Sequence, residues 1–223
     1  MNRVSAPELL LPGRRERIDR VVAARTRALT VVLEHVHDPH NIGAALRTCE
    51  CFGLQELHVV EGPRSPYRPA KLVTRGAEKW VDVHRSKDLE ETIGSLKARG
   101  FTVLASRLSG AAIPLNALPL DRKLALVFGN EHEGVTDRAA ELCDGNFRIP
   151  MFGFTQSLNI SVALAVSLSW LVLRRAEDGQ VGDLTENEAR ALRERFYVNA
   201  VPQRGRIFGG KASRPPRPDG DET

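Results

Sequence analysis

The stretch Thr30–Gly53, TVVLEHVHDPHNIGAALRTCECFG, passes from a β-branched run into a helical one through a turn dipeptide. Thr30 to Val36 has the composition of a buried strand, and Asp38 with Pro39 makes the turn. From near Asn41, Ile42, Ala45, Leu46 and Cys49 recur at i, i+3, i+4 and i+7, which predicts a helix with one apolar stripe. A strand that turns straight into an amphipathic helix is the repeating step of an α/β domain.

The rest of the chain repeats that step. LHVVEG, KWVDVH, FTVLASRL, KLALVFGN and FRIPM read as strands; DLEETIGSLKARG, TDRAAELCDG and the long LNISVALAVSLSWLVLRR read as helices. Asp88 and Thr136 are expected helix N-caps, and Gly100 and Gly145 expected stops. The expectation is an α/β fold, a mainly parallel sheet flanked by helices on both faces. Residues 1–29 are expected to be a basic N-terminal helical extension, with Ile18, Val21 and Val22 on its apolar face, and residues 30–175 the α/β domain. Residues 176–223 form a C-terminal extension whose last part, KASRPPRPDGDET, is too rich in proline and polar residues to pack.

Composition narrows the function classes. The chain has 223 residues, 42% hydrophobic and 27% charged, enough for one full core. The longest mostly apolar run, 160–173, is broken by Ser161, Ser167 and Ser169 and is too short for a bilayer span, and no signal-peptide core precedes it. A soluble, cytoplasmic protein is expected. Cys49, Cys51 and Cys143 form no C-x-x-C or Cys/His spacing, so neither a disulfide frame nor a metal site is expected. The net charge of +4 is concentrated at the ends. In residues 1–30, seven arginines oppose Glu8, Glu16 and Asp19; in residues 202–218, five cations meet no acid. Solvated tails and a polyanion-binding surface both fit that distribution.

No strand leads into G-x-G-x-x-G, so a Rossmann dinucleotide site is unsupported. GRIFGGKA at 205–212 has P-loop spacing, but Ala212 replaces the magnesium-binding hydroxyl and SRPPRP cannot form the following helix. Three other loops beside strands concentrate polar and glycine residues. In HDPHNIGAALRT, Gly43, Arg47 and Glu50 fall opposite the apolar stripe, and Gly43 leaves an open approach to the Arg47 guanidinium; a surface Arg47–Glu50 pair with Asn41 as helix cap is the plainer alternative. In FGNEHEGV, glycines bracket a tetrad whose Glu131 or Glu133 can be acid, base or hydrogen-bond acceptor, or part of a solvated turn. In IPMFGFTQSLNIS, Gly153 permits a bend and Ser157 or Asn159 stands where a helix cap would.

In this order and spacing the three loops resemble the motifs of the SpoU branch of the SPOUT-class RNA 2′-O-ribose methyltransferases, over about residues 30–175. Within that branch PHNIGAALRT, GAEKWV and QSLNISVA look most like the TrmH-type tRNA (guanosine-2′-O)-methyltransferases. The resemblance implies a C-terminal trefoil knot, a homodimer, and transfer of methyl from S-adenosyl-L-methionine, without a metal, to a tRNA ribose, the D-loop guanosine at nucleotide eighteen. Ribosomal RNA as substrate and a non-catalytic RNA-binding protein are the alternatives. It further implies catalytic positions at Asn41, Arg47, Glu131, Ser157 and Asn159, with Glu131 and Asn159 holding Arg47. Cofactor contacts are implied at Ser106, Gly129, Ile149, Met151 and Leu158. Arg14, Arg15, Arg17 and Arg20 are expected to contact tRNA phosphates.

Overall fold

A computed structural model describes residues 5–63 and 65–201. Seven strands form one sheet: β1 (Leu29–Glu34), β2 (Glu56–Val60), β3 (Asp82–Ser86), β4 (Phe101–Ser106), β5 (Ile113–Pro114), β6 (Lys123–Phe128) and β7 (Gly145–Arg148). Their spatial order is β3-β2-β1-β6-β4-β7-β5 and every pairing is parallel. β1 lies inside the sheet, between β2 and β6, with all six residues buried, Leu33 opposite Val59 on one side and Phe128 on the other. Strands buried on both faces need apolar side chains in both directions, which is why TVVL and LALVF do not alternate.

Helices cover both faces. On one side α2 (Pro39–Cys51) and α6 (Ile160–Glu177) bury Ile42, Ala45, Leu46 and Cys49 with Leu164, Leu168 and Leu171. On the other, α4 (Leu89–Ala98) and α5 (Asp137–Leu142) bury Ile93, Leu96 and Ala139 against Val32, Val60 and Val127. A short α3 (Lys71–Thr74) packs on α2. Among the described residues no helix is long and apolar enough to cross a membrane.

The helix boundaries correct two expectations. Asp38, not Asn41, caps α2: its Oδ1 accepts from His40 N at 2.8 Å, with Pro39 in the first helical position. Gly145 opens β7 instead of ending α5, whose last turn closes through an extended Cys143. The other punctuation holds, with Asp88 accepting from Glu91 N, Thr136 from Ala139 N, and Gly100 at φ +83° after α4.

The basic N-terminal helix α1 (Pro12–Ala23) docks on a helix that the strand–helix pattern does not single out, α7 (Glu186–Ala200). Its local signals are the Thr185/Glu188 capping box and the apolar spacing of Ala189, Leu192 and Phe196. Ile18 and Val22 pack with Leu192, Phe196 and Val201, and Trp80 meets Phe196 edge-on at 5.1 Å. Arg25, fully buried at this junction, donates to Leu54 O at 3.0 Å and pairs with Glu50 at 3.1 Å. The segments 205–212 and 211–223 lie outside the described residues.

Because β6 sits between β1 and β4, the carboxyl ends of β1, β6, β4 and β7 stand side by side. The loops after them therefore converge at one edge of the sheet, where ligands of parallel α/β sheets bind.

Candidate active site

The loops following β4, β6 and β7 enclose a cleft of about 540 Å³, within the size range of small-molecule sites. Its floor is the turn 129–134. A Cβ on Gly129 would overlap the carbonyl carbon and oxygen of Gly134, so only glycine permits this closure, and Gly134 itself has φ +70°. Asn130 Oδ1 accepts from His132 N at 2.9 Å and Glu133 N at 2.8 Å, which makes the tetrad a self-tied loop. Its exit is fastened to β1, where buried Glu34 accepts from Thr136 N at 3.0 Å and from Thr136 Oγ1 at 2.5 Å. Ser106, Gly129, Ile149, Met151 and Leu158 all line the cleft, with Glu131, Ser157 and Asn159. Phe152 and Phe154 are fully exposed on the loop that forms its outer wall.

One hydrogen-bonded chain crosses the lip of this cleft. Asn159 caps α6, its Oδ1 accepting from Ser161 N at 2.8 Å and Ser161 Oγ at 2.6 Å. A backbone N–H can only donate, so Asn159 must turn its amide nitrogen outward, and Nδ2 donates to Asn41 Oδ1 at 3.2 Å. Asn41 then has only its own Nδ2 left, which donates to Glu131 Oε1 at 2.7 Å. Glu131 also accepts from Asp38 N and His37 N, each at 3.2 Å. Burial would raise the Glu131 carboxyl, but the Asn41 amide and the backbone N–H groups outweigh it and hold the group below its ordinary value. Glu131 is thus an ionised acceptor beside the N-terminus of α2, poorly suited to take a proton as a base. The polarity of every amide in the chain is set by the α6 cap.

Three expectations change here. Glu131 and Asn159 hold Asn41, not Arg47. Arg47 projects into solvent from α2, outside the cleft lining, and Glu50, its plain alternative partner, pairs with Arg25. Gly43 is no open approach to Arg47: it is buried, and a Cβ there would meet Ala70 O at 3.1 Å and Val73 Cβ at 3.2 Å. It is where α3 and the preceding backbone close on α2. Arg14, Arg17 and Arg20 are exposed on α1 and Arg15 half-buried, with Arg14 stacked 5.8 Å over Trp80, all outside the cleft. Asn130 and Ser161 lie in the loops FGNEHEGV and IPMFGFTQSLNIS without being singled out there, although their partners are only two or three residues away; Glu34 is not marked by the sequence, because its partner Thr136 is 102 residues along the chain.

The site stands in a chain with known relatives. Residues 28–169 match the SpoU rRNA Methylase family. The chain is 43% identical over 156 residues to the tRNA (guanosine(18)-2′-O)-methyltransferase of Thermus thermophilus, covering 70% of this chain and 80% of that one. Among solved structures, the A. aeolicus TrmH/SpoU tRNA modifying enzyme superposes with a TM-score of 0.78 at 28% identity, covering 86% of this chain and 98% of that one. The AdoMet-bound rRNA methyltransferase of Sinorhizobium meliloti gives 0.59 at 25% identity, covering 70% and 60%.

Proposed function

This chain belongs to the SpoU rRNA Methylase family, and from that premise we propose that it transfers a methyl group from S-adenosyl-L-methionine to the ribose 2′-hydroxyl of the D-loop guanosine, nucleotide eighteen, of tRNA. The observation that carries this reading is the cleft at the carboxyl edge of the sheet, bordered by the oriented Asn159–Asn41–Glu131 chain. The named activity of the Thermus relative selects the substrate, and the AdoMet-bound relative the donor.

The chemistry divides among these residues. The ribose oxygen attacks the sulfonium methyl carbon in line; the carbon–sulfur bond breaks as the carbon–oxygen bond forms, leaving S-adenosylhomocysteine, and the hydroxyl proton passes to solvent or a phosphate oxygen. The departing thioether is neutral and a good leaving group, so this reading gives the transfer no metal. Positioning and charge stabilisation are what remain for the protein. Ser106, Gly129, Ile149, Met151 and Leu158 hold the donor, and Ser157 supports the loop over it. Asn41, fixed by Glu131 and Asn159, orients the target nucleotide. Arg47, free of ion pairs to other described residues, acts as a cation that clamps phosphate or stabilises the forming alkoxide, since a guanidinium keeps its proton in proteins. Arg14, Arg15, Arg17 and Arg20 attract the tRNA backbone.

The same reading includes a homodimer, a trefoil knot and a cytoplasmic place of work beside tRNA. Val162, Val166, Trp170 and Leu173 form an exposed apolar stripe along α6 that a second copy would cover. The segment 149–159 must run from β7, beyond β4, back to α6 over α2, a crossing of the loop edge compatible with threading. Incubation of the protein with labelled donor and unmodified tRNA, followed by nuclease mapping, should place one methyl on the ribose of guanosine eighteen. Label on a base, or in ribosomal RNA alone, would overturn the assignment.

A further inference from the structure

Away from the cleft, on the neighbouring strands β2 and β3, three metal-ligating side chains meet. Glu56 and His58 are two residues apart on β2 and so share one face of the sheet. The parallel register sets His84 of β3 directly opposite His58, and the two imidazoles stack with centroids 4.7 Å apart. One ligand atom from each of Glu56, His58 and His84 lies within 4.8 Å of the other two. His58 is 8% exposed, and its Nε2 is buried with no hydrogen-bond partner. Glu56 Oε2 is 3.6 Å from it, too far for a hydrogen bond. A buried imidazole nitrogen without a partner loses free energy unless something fills the gap.

We propose that Glu56, His58 and His84 form a binding site for a divalent transition-metal ion of the zinc type, separate from the methyl-transfer cleft. Imidazole nitrogen and carboxylate oxygen are the ligand set such ions prefer, with three protein ligands leaving one position for water.

Two features set the affinity. In a tetrahedral site the ligand atoms stand roughly 3.4 Å apart, so the cluster must contract, and exposed His84 on the edge strand β3 is the member able to swing inward. Arg99 donates to the same Glu56 Oε2 at 2.7 Å and must yield that oxygen; Arg27 holds Oε1 and can stay. Arg99 therefore competes with the metal, and removing it should strengthen binding. A bound ion would tie the edge strand β3 to β2 through side chains as well as backbone. Neither C-x-x-C nor H-x-x-H spacing marks the site, because 26 residues separate His58 from His84 and only strand register joins them.

Titration calorimetry with Zn²⁺ on the full chain without an affinity tag tests this. One equivalent should bind; His84→Ala should weaken binding at least about 30-fold, and Arg99→Gln should tighten it several-fold. Co²⁺ should show the visible ligand-field band of a low-symmetry site in the wild type and lose it in His84→Ala. A His37→Ala/His132→Ala control removes the other close histidine pair, 6.2 Å apart, and should leave zinc binding unchanged. Absence of saturable Zn²⁺ uptake by the wild type, equal affinity in His84→Ala, or loss of binding in the control alone would each overturn the site. None of these readouts depends on methyl transfer.

Discussion

Replacing Asn41 by aspartate keeps the shape of the side chain but turns its donor into an acceptor 2.7 Å from Glu131 Oε1. Asn41 is 7% exposed and the Glu131 side chain 20%, so water screens the new pair only in part. Two carboxylates with charge centres about 4 Å apart repel by roughly 4 kcal/mol at an effective dielectric constant of 20, which corresponds to about three pKa units. The pair should therefore keep one shared proton to a pH well above the ordinary carboxylate range. Below that pH, the protonated carboxyl introduced at position 41 can donate to Glu131 and still accept from Asn159 through its other oxygen, reproducing the wild-type chain. Above it, the pair splits and the α2 and α6 N-termini lose their link. Methyl-transfer rates of Asn41→Asp, divided by wild-type rates at each pH, should rise at least tenfold as pH falls from about 8.5 to about 6. Asn41→Ala, which has nothing to titrate, should show a flat ratio. A flat ratio for Asn41→Asp, with the variant folded by circular dichroism, would refute the view that Glu131 acts by orienting the residue at position 41.

Gly129→Ala should abolish donor binding in calorimetry while much of the fold survives, because its Cβ would collide with the Gly134 backbone in the cleft floor. Changing Arg14, Arg15, Arg17 and Arg20 to glutamine should weaken tRNA binding and reduce the slope of log affinity against log salt by up to about 3; an unchanged slope would remove α1 from the RNA surface. Val166→Glu, 41% exposed in the α6 stripe, should shift the protein to monomer in sedimentation analysis. The depressed pKa of Glu56 contributes stability that is complete above the ordinary carboxylate pKa of 4.5 and is lost as pH falls toward about 2. Glu56→Gln should accordingly lower the thermal midpoint at neutral pH and show less further loss than wild type on acidification.

The sequence by itself determined the class of fold, the apolar stripe of α2, three helix boundaries and the family of the chain. These depend on local periodicity, turn chemistry and short motifs, all carried within a few residues. It also marked the loops at Asn41, Glu131 and Asn159, which the resemblance, not the spacing, connected to a reaction. Tertiary structure alone decided what those residues do to one another. Asn41 looked like a helix cap, but Asp38 takes that role and frees the Asn41 amide for Glu131, 90 residues away. Gly43 looked open and is closed by Ala70 and Val73. His58 and His84 carried no signal until strand register set them opposite each other. The physical reason is common to all three. A hydrogen bond, a backbone approach or a ligand set forms within a few ångströms, and which residues come that near depends on how distant segments meet: β6 lying beside β1 for Asn41 and Glu131, α3 closing on α2 for Gly43, and the β2–β3 register for the histidines, none of which a local segment encodes.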